Sequence, residues 1–172
     1  MGLVDLFDVL RDVLFIAVLA FYLAMTAGRL DRLHIAVDAS RASLELQLAL
    51  RAEAIADVLA EGDIDPVSQG LLIRALARRR AVDGWNADAE SDLSALIREL
   101  VDAHDGVIGP PEVQEDLRSA CNRAEFAYRF HNDAVEQTLQ MRMRPIVRYL
   151  HLAGHTPMPS RVRADMVPPE LA

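Results

Sequence analysis

The sequence predicts an all-α fold: an N-terminal transmembrane helix that continues into an antiparallel, up-and-down four-helix bundle of two long and two short helices. Three observations lead to this prediction. Ala, Leu and Arg dominate the 172 residues while β-branched runs are scarce, a composition that favours helices over strands. An uncharged, strongly apolar run lies at residues 13–28. Beyond it, apolar residues recur at helical spacing between Gly and Pro breaks, over a length that suits one domain.

We interpret residues 1–28 as an amphipathic lead-in followed by a membrane anchor. As a helix, the sixteen uncharged residues rise about 24 Å, less than the roughly 30 Å of a hydrocarbon core, and the lead-in or the long side chains of Arg11 and Arg29 close this gap. Large apolar residues surround the whole helix, whereas a buried core helix, the alternative interpretation, normally keeps one polar face. The residues expected to span the membrane are Val13, Leu14, Phe15, Ile16, Leu19, Phe21, Tyr22 and Leu23.

The charges around the apolar run indicate its orientation. Three aspartates and one arginine precede it, whereas a cleaved signal peptide begins with positive charge, so cleavage is not expected. Arg29, Arg32 and Arg41 follow the run, and the positive-inside bias therefore places the C-terminal domain in the cytoplasm. The predicted location is the cell membrane, crossed once.

Residues 29–153 are expected to form the bundle. The first helix should continue from the anchor to about Glu61, because no Gly or Pro follows Gly28 before that point. Its apolar stripe repeats every eleven residues, which corresponds to about 3.67 residues per turn and hence to a nearly straight helix. The stripe consists of Leu33, Val37, Leu44, Leu48, Ile55 and Leu59.

Two shorter helices come next. Asp65 caps the second helix and Pro66 occupies its first turn, while an Asp-Gly pair at 83–84 breaks it. Asn86 or Asp88 caps the third helix. Short breaks between helices make antiparallel neighbours, and this predicts the up-and-down order.

The fourth helix is predicted to open at Pro110-Pro111-Glu112 and to reach about Leu152, with a kink at Pro145. Apolar and small residues recur along it at intervals of three and four, so one face should lie in the core. That face comprises Val113, Leu117, Cys121, Ala124, Tyr128, His131, Val135 and Thr138.

The end of the fourth helix is basic and should return towards the anchor. Arg142, Arg144 and Arg148 are the residues expected to contact an anionic membrane surface, where each arginine gains about 1 kcal/mol. The alternative is a solvated helix end whose arginines complement the helix dipole. Residues 154–172 contain four prolines and are expected to form an extended tail.

Composition excludes several classes of function. All basic residues are arginines, so neither a phosphate-binding nor a Schiff-base lysine is present, and the net charge of −8 argues against general nucleic-acid binding. The lone Cys121 excludes an internal disulfide framework and a cysteine zinc cluster. His151 and His155 have metal-ligand spacing, but Gly154 interrupts their helix and the glutamate of the zinc-protease motif is missing. We therefore expect no enzymatic activity, metal, cofactor, nucleic acid or small-molecule substrate.

Two segments resemble a known family. Residues 127–135, Ala-Tyr-Arg-Phe-His-Asn-Asp-Ala-Val, are similar to the A-R-x-F-Y-N-x-A-V signature of LemA family proteins. Residues 37–51, from Val-Asp-Ala-Ser through Leu-Gln-Leu to Arg51, resemble that family's V-D-x-A … I-x-V-Q-L-x-R-R helix. Pro145 and Gly154 stand where the family has a Pro-apolar-Gly tail.

The resemblance covers about residues 1–155 and has clear departures. His131 stands where the family usually has Tyr, and Thr138-Leu139 replaces a second aromatic-Asn pair. The chain therefore resembles a divergent member. The resemblance implies a helical bundle in a single-pass membrane protein with a cytoplasmic domain, and the family has no established enzymatic activity to carry over.

The remaining candidate site is the pair His131 and Asn132 within this signature. The functional interpretation is a buried polar network, and the alternative is a hydrogen-bonded core histidine. The sequence as a whole favours a non-enzymatic membrane protein whose partners are the lipid bilayer and unidentified proteins. The alternative is a soluble or peripheral helical subunit whose apolar N-terminal helix packs within a larger membrane complex.

Overall fold

A computed structural model describes residues 3–62, 64–81, 86–150, 152–154 and 156–171, with the backbone alone for the first four of them. All the regular secondary structure in this part of the chain is helical, which confirms the all-α prediction. The five helices are α1 (Leu3–Glu61), α2 (Pro66–Arg80), α3 (Ala87–Ala103), α4 (Pro111–Arg142) and α5 (Pro145–Tyr149).

Helix α1 is continuous over 59 residues, as the absence of breakers after Gly28 predicts. It ends where Gly62 passes close to another segment: a Cβ atom on Gly62 would lie 2.5 Å from the Val58 carbonyl oxygen and 2.6 Å from that of Ile108. Only glycine fits between these two carbonyls.

The two short helices begin at the predicted caps. The Asp65 carboxylate accepts hydrogen bonds from the backbone N–H groups of Val67 (2.9 Å) and Ser68 (3.1 Å) at the start of α2. Hydrogen bonding to Ser68 lowers the pKa of Asp65. Asn86, rather than Asp88, caps α3 through its side-chain oxygen. The predicted break at residues 83–84 lies outside the described residues.

The fourth predicted helix is interrupted rather than kinked. Helix α4 ends at Arg142 and α5 begins at Pro145. Proline disfavours the helical conformation of the residue before it, and Arg144 accordingly has an extended backbone with φ −61° and ψ 134°. Helix α4 therefore ends three residues before Pro145, the position at which the sequence predicts a kink.

Helices α1 and α4 form the long pair of the fold, and they run antiparallel. Leu30 of α1 packs with Met141 near the end of α4, while Ile55 shares a buried cluster with Leu117 near the start of α4. The cluster around Ile55 and Leu117 also contains residues of the short helices. Helices α2 and α3 therefore complete the core at the end of the bundle that lies far from the apolar run. The cluster members from these helices are Leu72, Ala75, Leu76, Leu93, Ile97, Leu100 and Val101.

Residues 156–171 contain no helix or strand and lie along the bundle. Val162 and Met166 are buried against Leu44, Leu48 and residues of α4. We call this segment the C-terminal strap. It is extended, as the prolines predict, but it is packed against the bundle rather than separate from it.

Candidate functional site

The residues predicted to span a membrane lie on the outside of the molecule. Seven of these residues are exposed. Soluble proteins rarely expose a contiguous apolar surface of this size. The exposed residues are Val13, Leu14, Phe15, Ile16, Leu19, Phe21 and Tyr22, and Leu23 is half-buried. Among the described helices, α1 alone is long and apolar enough that it could cross a membrane.

The three arginines predicted at the membrane surface have different surroundings. Arg144 and Arg148 are exposed at the start and in the last turn of α5. Arg142 is half-buried and donates to two carbonyl oxygens of the strap, at 2.8 and 2.9 Å. Val147 packs α5 against Leu30, so the two exposed arginines lie near the end of the apolar run.

His131 is buried between the two long helices. Its side chain is 4% exposed, and its Nδ1 lies 3.0 Å from Ser40 Oγ. The Ser40 hydroxyl donates to the Val37 carbonyl oxygen (2.8 Å), so the Nδ1–H of His131 donates to Ser40. Burial, reinforced by the charge of Arg41, lowers the pKa of His131, and the imidazole is neutral near pH 7.

Asn132 lies next to His131 in the sequence but makes its hydrogen bonds in another direction. Its side-chain amide donates to the Val162 carbonyl oxygen (3.1 Å) and accepts from the Val162 N–H (2.9 Å). The structure therefore does not join His131 and Asn132 in one network. His131 holds α4 to α1, and Asn132 holds the strap to α4.

A charged network that the sequence analysis missed lies at the centre of the bundle. Glu90 of α3 is fully buried, and its Oε2 lies 2.5 Å from Arg51 Nη2 of α1. Its other oxygen, Oε1, lies 2.8 Å from Arg79 Nε of α2. One carboxylate thereby ties three helices together. The spacing of residues could have indicated that Glu90 is buried. Glu90 precedes the buried residues Leu93 and Ile97 by three and seven positions, which places all three on the same face of α3.

This network is not fully satisfied at Arg51. Two arginines against one carboxylate leave a positive charge, and the buried Nε of Arg51 has no hydrogen-bond partner among the described residues. Its Nη1 donates to Ser94 Oγ (2.8 Å) and, at 3.4 Å, to the thioether of Met166, which is a weak acceptor. The strap therefore covers a buried cation with an apolar side chain.

Cys121 and Arg51 both line a small void of about 10 Å³ between the strap and the bundle. Burial raises the pKa of its thiol, so the thiolate is scarce near pH 7. Cys121 is a buried core residue, as its place in the predicted stripe of the fourth helix indicates.

The strap is held mainly by side chains of the bundle that bind its backbone. Besides the Asn132 pair, Ser91 Oγ accepts from the Asp165 N–H (2.9 Å) and Arg98 Nη1 donates to the Val167 carbonyl oxygen (3.0 Å). Arg98 also forms an ion pair with the Asp165 carboxylate, and this contact lowers the pKa of Asp165.

An exposed aromatic pair lies on α4. Phe126 and Phe130 are 71% and 56% exposed, and their rings stack with centroids 6.5 Å apart and an interplanar angle of 12°. With Ser43 and Gln47 of α1 they line a shallow groove of about 310 Å³. The Oε1 atom of Gln47 is buried without a hydrogen-bond partner among the described residues. Two stacked phenylalanines on an open surface are typical of a protein-contact site.

The chain matches no protein-family model, and no curated protein or solved structure is significantly similar to it. Within the described ranges, no group of three or more His, Cys, Asp or Glu side chains is placed to hold a metal ion. His151 and His155 lie outside those ranges.

Proposed function

We propose that this chain is a single-pass membrane protein that presents a cytoplasmic four-helix bundle, of up-and-down order, for contacts with other proteins, without enzymatic activity. The observation that carries the proposal is the exposed apolar circumference of α1 between residues 13 and 22. Burying a large apolar side chain is favourable by about 1.5–3 kcal/mol. Moving the exposed side chains of this segment into lipid is therefore favourable by roughly 10 kcal/mol in total.

The position of α5 supports the same arrangement. Exposed Arg144 and Arg148 suit the anionic cytoplasmic leaflet, and the exposed ring of Tyr149 suits the headgroup region. These three residues lie on the segment that packs against Leu30, two residues beyond the apolar run. An antiparallel α1–α4 pair brings them there, as the up-and-down order requires.

The test of the anchor is membrane extraction. The full chain should remain in the membrane pellet after an alkaline carbonate wash and should dissolve only with detergent. A matched variant, Ile16→Arg with Leu19→Arg, should be released, since each arginine at the centre of a membrane helix costs about 2.5–3.5 kcal/mol. Release of the unmodified chain by carbonate would contradict the transmembrane claim.

The test of orientation uses a single accessible thiol. In a Cys121→Ser background, a cysteine replacing exposed Arg123 should react with an impermeant maleimide only after the cells are permeabilised. Labelling of intact cells would show that the domain lies outside.

The protein-contact surface is tested at the aromatic pair. A photoreactive amino acid at position 126 should cross-link to one discrete protein in living cells, and the same probe at exposed Arg129 on the same helix should cross-link far less. Phe126→Ala with Phe130→Ala should reduce co-purification of that protein. The free energy of unfolding should stay within about 0.5 kcal/mol of the parent, as is usual for surface substitutions. Equal cross-linking at both positions would contradict a contact at this pair.

The second candidate function is a peripheral helical subunit whose N-terminal helix packs inside a larger membrane complex. The same exposed circumference favours it, because a helix surrounded by other helices also needs apolar residues on all sides. Carbonate release together with co-purification of stoichiometric partners distinguishes this function from the first.

A distant relationship to the LemA family is part of the proposal. It is supported by the contact between the two segments that resemble the family, since Ser40 of one segment binds His131 of the other. A structure of a LemA family protein in which these two segments pair in another register would contradict the relationship.

A further inference from the structure

We propose that the groove beneath the C-terminal strap is a docking site for an extended segment of a partner protein, and that the strap is its competitor within the same chain. The segment that fits has an apolar residue, then two variable residues, a carboxylate and a second apolar residue. In the strap these positions are Val162, Asp165 and Met166. The inference does not depend on the membrane anchor or on the Phe126–Phe130 pair.

The groove binds main-chain atoms of the strap. Asn132 holds both the N–H and the carbonyl of Val162, Ser91 accepts the N–H of residue 165, and Arg98 donates to the carbonyl of residue 167. Tyr128 also donates to the Val162 carbonyl oxygen, at 3.3 Å. Such contacts recognise any chain in an extended conformation, as in other grooves that bind peptides through their backbone.

The groove also selects side chains. Val162 and Met166 are 7% and 4% exposed, so two apolar side chains four residues apart enter the bundle surface. Between them Asp165 pairs with Arg98, which is held at the edge of α3. Two apolar sites flanking a cation define the pattern of the partner segment.

The strap is an imperfect ligand for the groove. The thioether of Met166 is the strap's contact with the buried Arg51, and the Nε atom of that guanidinium has no partner among the described residues. A segment that keeps an apolar residue at this position and brings a stronger acceptor, such as an amide or carboxylate oxygen, from a neighbouring position would bind Arg51 better. The strap is therefore suited to be displaced.

The test adds a fluorescent peptide of residues 156–171 to the full-length protein in detergent and follows fluorescence anisotropy. Two variants remove the same ion pair from opposite sides: Asp165→Ala weakens the strap, and Arg98→Ala weakens the groove. A site that is free only part of the time binds with an affinity reduced by that fraction. Loss of a partly exposed ion pair changes an equilibrium by about fivefold.

Asp165→Ala should therefore bind the peptide about fivefold more tightly than the unmodified protein, because its own strap competes less. Adding Arg98→Ala to this variant should weaken peptide binding by about the same factor, since the peptide's own carboxylate then loses its partner. Asp165→Asn provides a second, milder strap variant, and circular dichroism checks that each variant is folded.

Two results would overturn the proposal: absence of peptide binding to both folded strap variants at millimolar concentration, or equal affinity with and without Arg98. A peptide with Asp165 replaced by Ala is the control ligand, and it should lose the dependence on Arg98. These results are independent of the carbonate extraction and of cross-linking at position 126, so failure here is distinguishable from failure of the proposed function.

Discussion

Replacing Glu90 by Gln tests whether the buried charge network holds the bundle together. The substitution preserves shape and removes the charge that both Arg51 and Arg79 face, at 2.5 and 2.8 Å. Breaking a buried ion pair by removing one partner costs about 3–5 kcal/mol, because the remaining charge stays buried without compensation. We expect a loss of that size in the free energy of unfolding, measured by urea titration of circular dichroism in detergent.

The chain provides a matched control for this experiment. Arg78 and Asp92 also join α2 to α3, but their side chains are 66% and 54% exposed. Asp92→Asn should cost less than about 1 kcal/mol, because water screens an exposed pair. If Glu90→Gln and Asp92→Asn have the same effect within about 1 kcal/mol, the assigned role of the buried network is wrong. Replacing the buried network as a whole, with Glu90, Arg51 and Arg79 all apolar, should restore most of the stability.

Three further predictions concern single residues. Gly62→Ala should destabilise the fold, because the added Cβ would overlap two carbonyl oxygens. Gly70→Ala on α2 meets open space and should raise the free energy of unfolding by up to about 1 kcal/mol. If the urea midpoints of the two variants move in the same direction, the prediction is wrong. Burial lowers the pKa of His131 in the folded state, so the unfolded state binds the proton more tightly, and the free energy of unfolding should fall as the pH drops below 6.5, the usual pKa of histidine. If His131→Gln leaves the pH dependence of stability between 7 and 5 unchanged, this prediction is wrong. The Cys121 thiol, whose pKa is raised by burial, should react with a maleimide in native protein far more slowly than in urea, and equal rates would contradict its burial.

Local signals in the sequence predicted the helices well. Gly28 does not interrupt α1, since one glycine costs a helix only about 1 kcal/mol, and the Asp65 and Asn86 caps set where α2 and α3 begin. The proline at 145 predicted a kink but not the full break before it. Whether a proline kinks or breaks a helix depends on what the following residues pack against. Here Val147, which follows Pro145, packs in one buried cluster with Leu30 of α1.

Contacts between distant residues could not be predicted in the same way. The partners of Glu90 lie 39 and 11 positions away in the sequence, so the sequence does not show that they neutralise its charge. Without them, a charged residue near the start of a helix is expected to be exposed to solvent. The strap's prolines predict an extended chain but do not indicate that Asn132 will bind it. The sequence did place His131 on the inner face of its helix, and its contact with Ser40, 91 positions away, required the structure.

The unbroken helix α1 fixes the distance between the proposed membrane segment and the surface of the bundle. With residues 13–28 held in a bilayer, as proposed, Gln47 lies nineteen residues further along the same helix, a rise of about 28 Å. The groove lined by Phe126 and Phe130 is therefore held at a fixed distance from the membrane and in a fixed orientation around the helix axis. A partner must reach it at that distance. Inserting one residue after Gly28 would lift the groove by about 1.5 Å and turn it by about 100°, which points it away from any partner fixed in the same membrane.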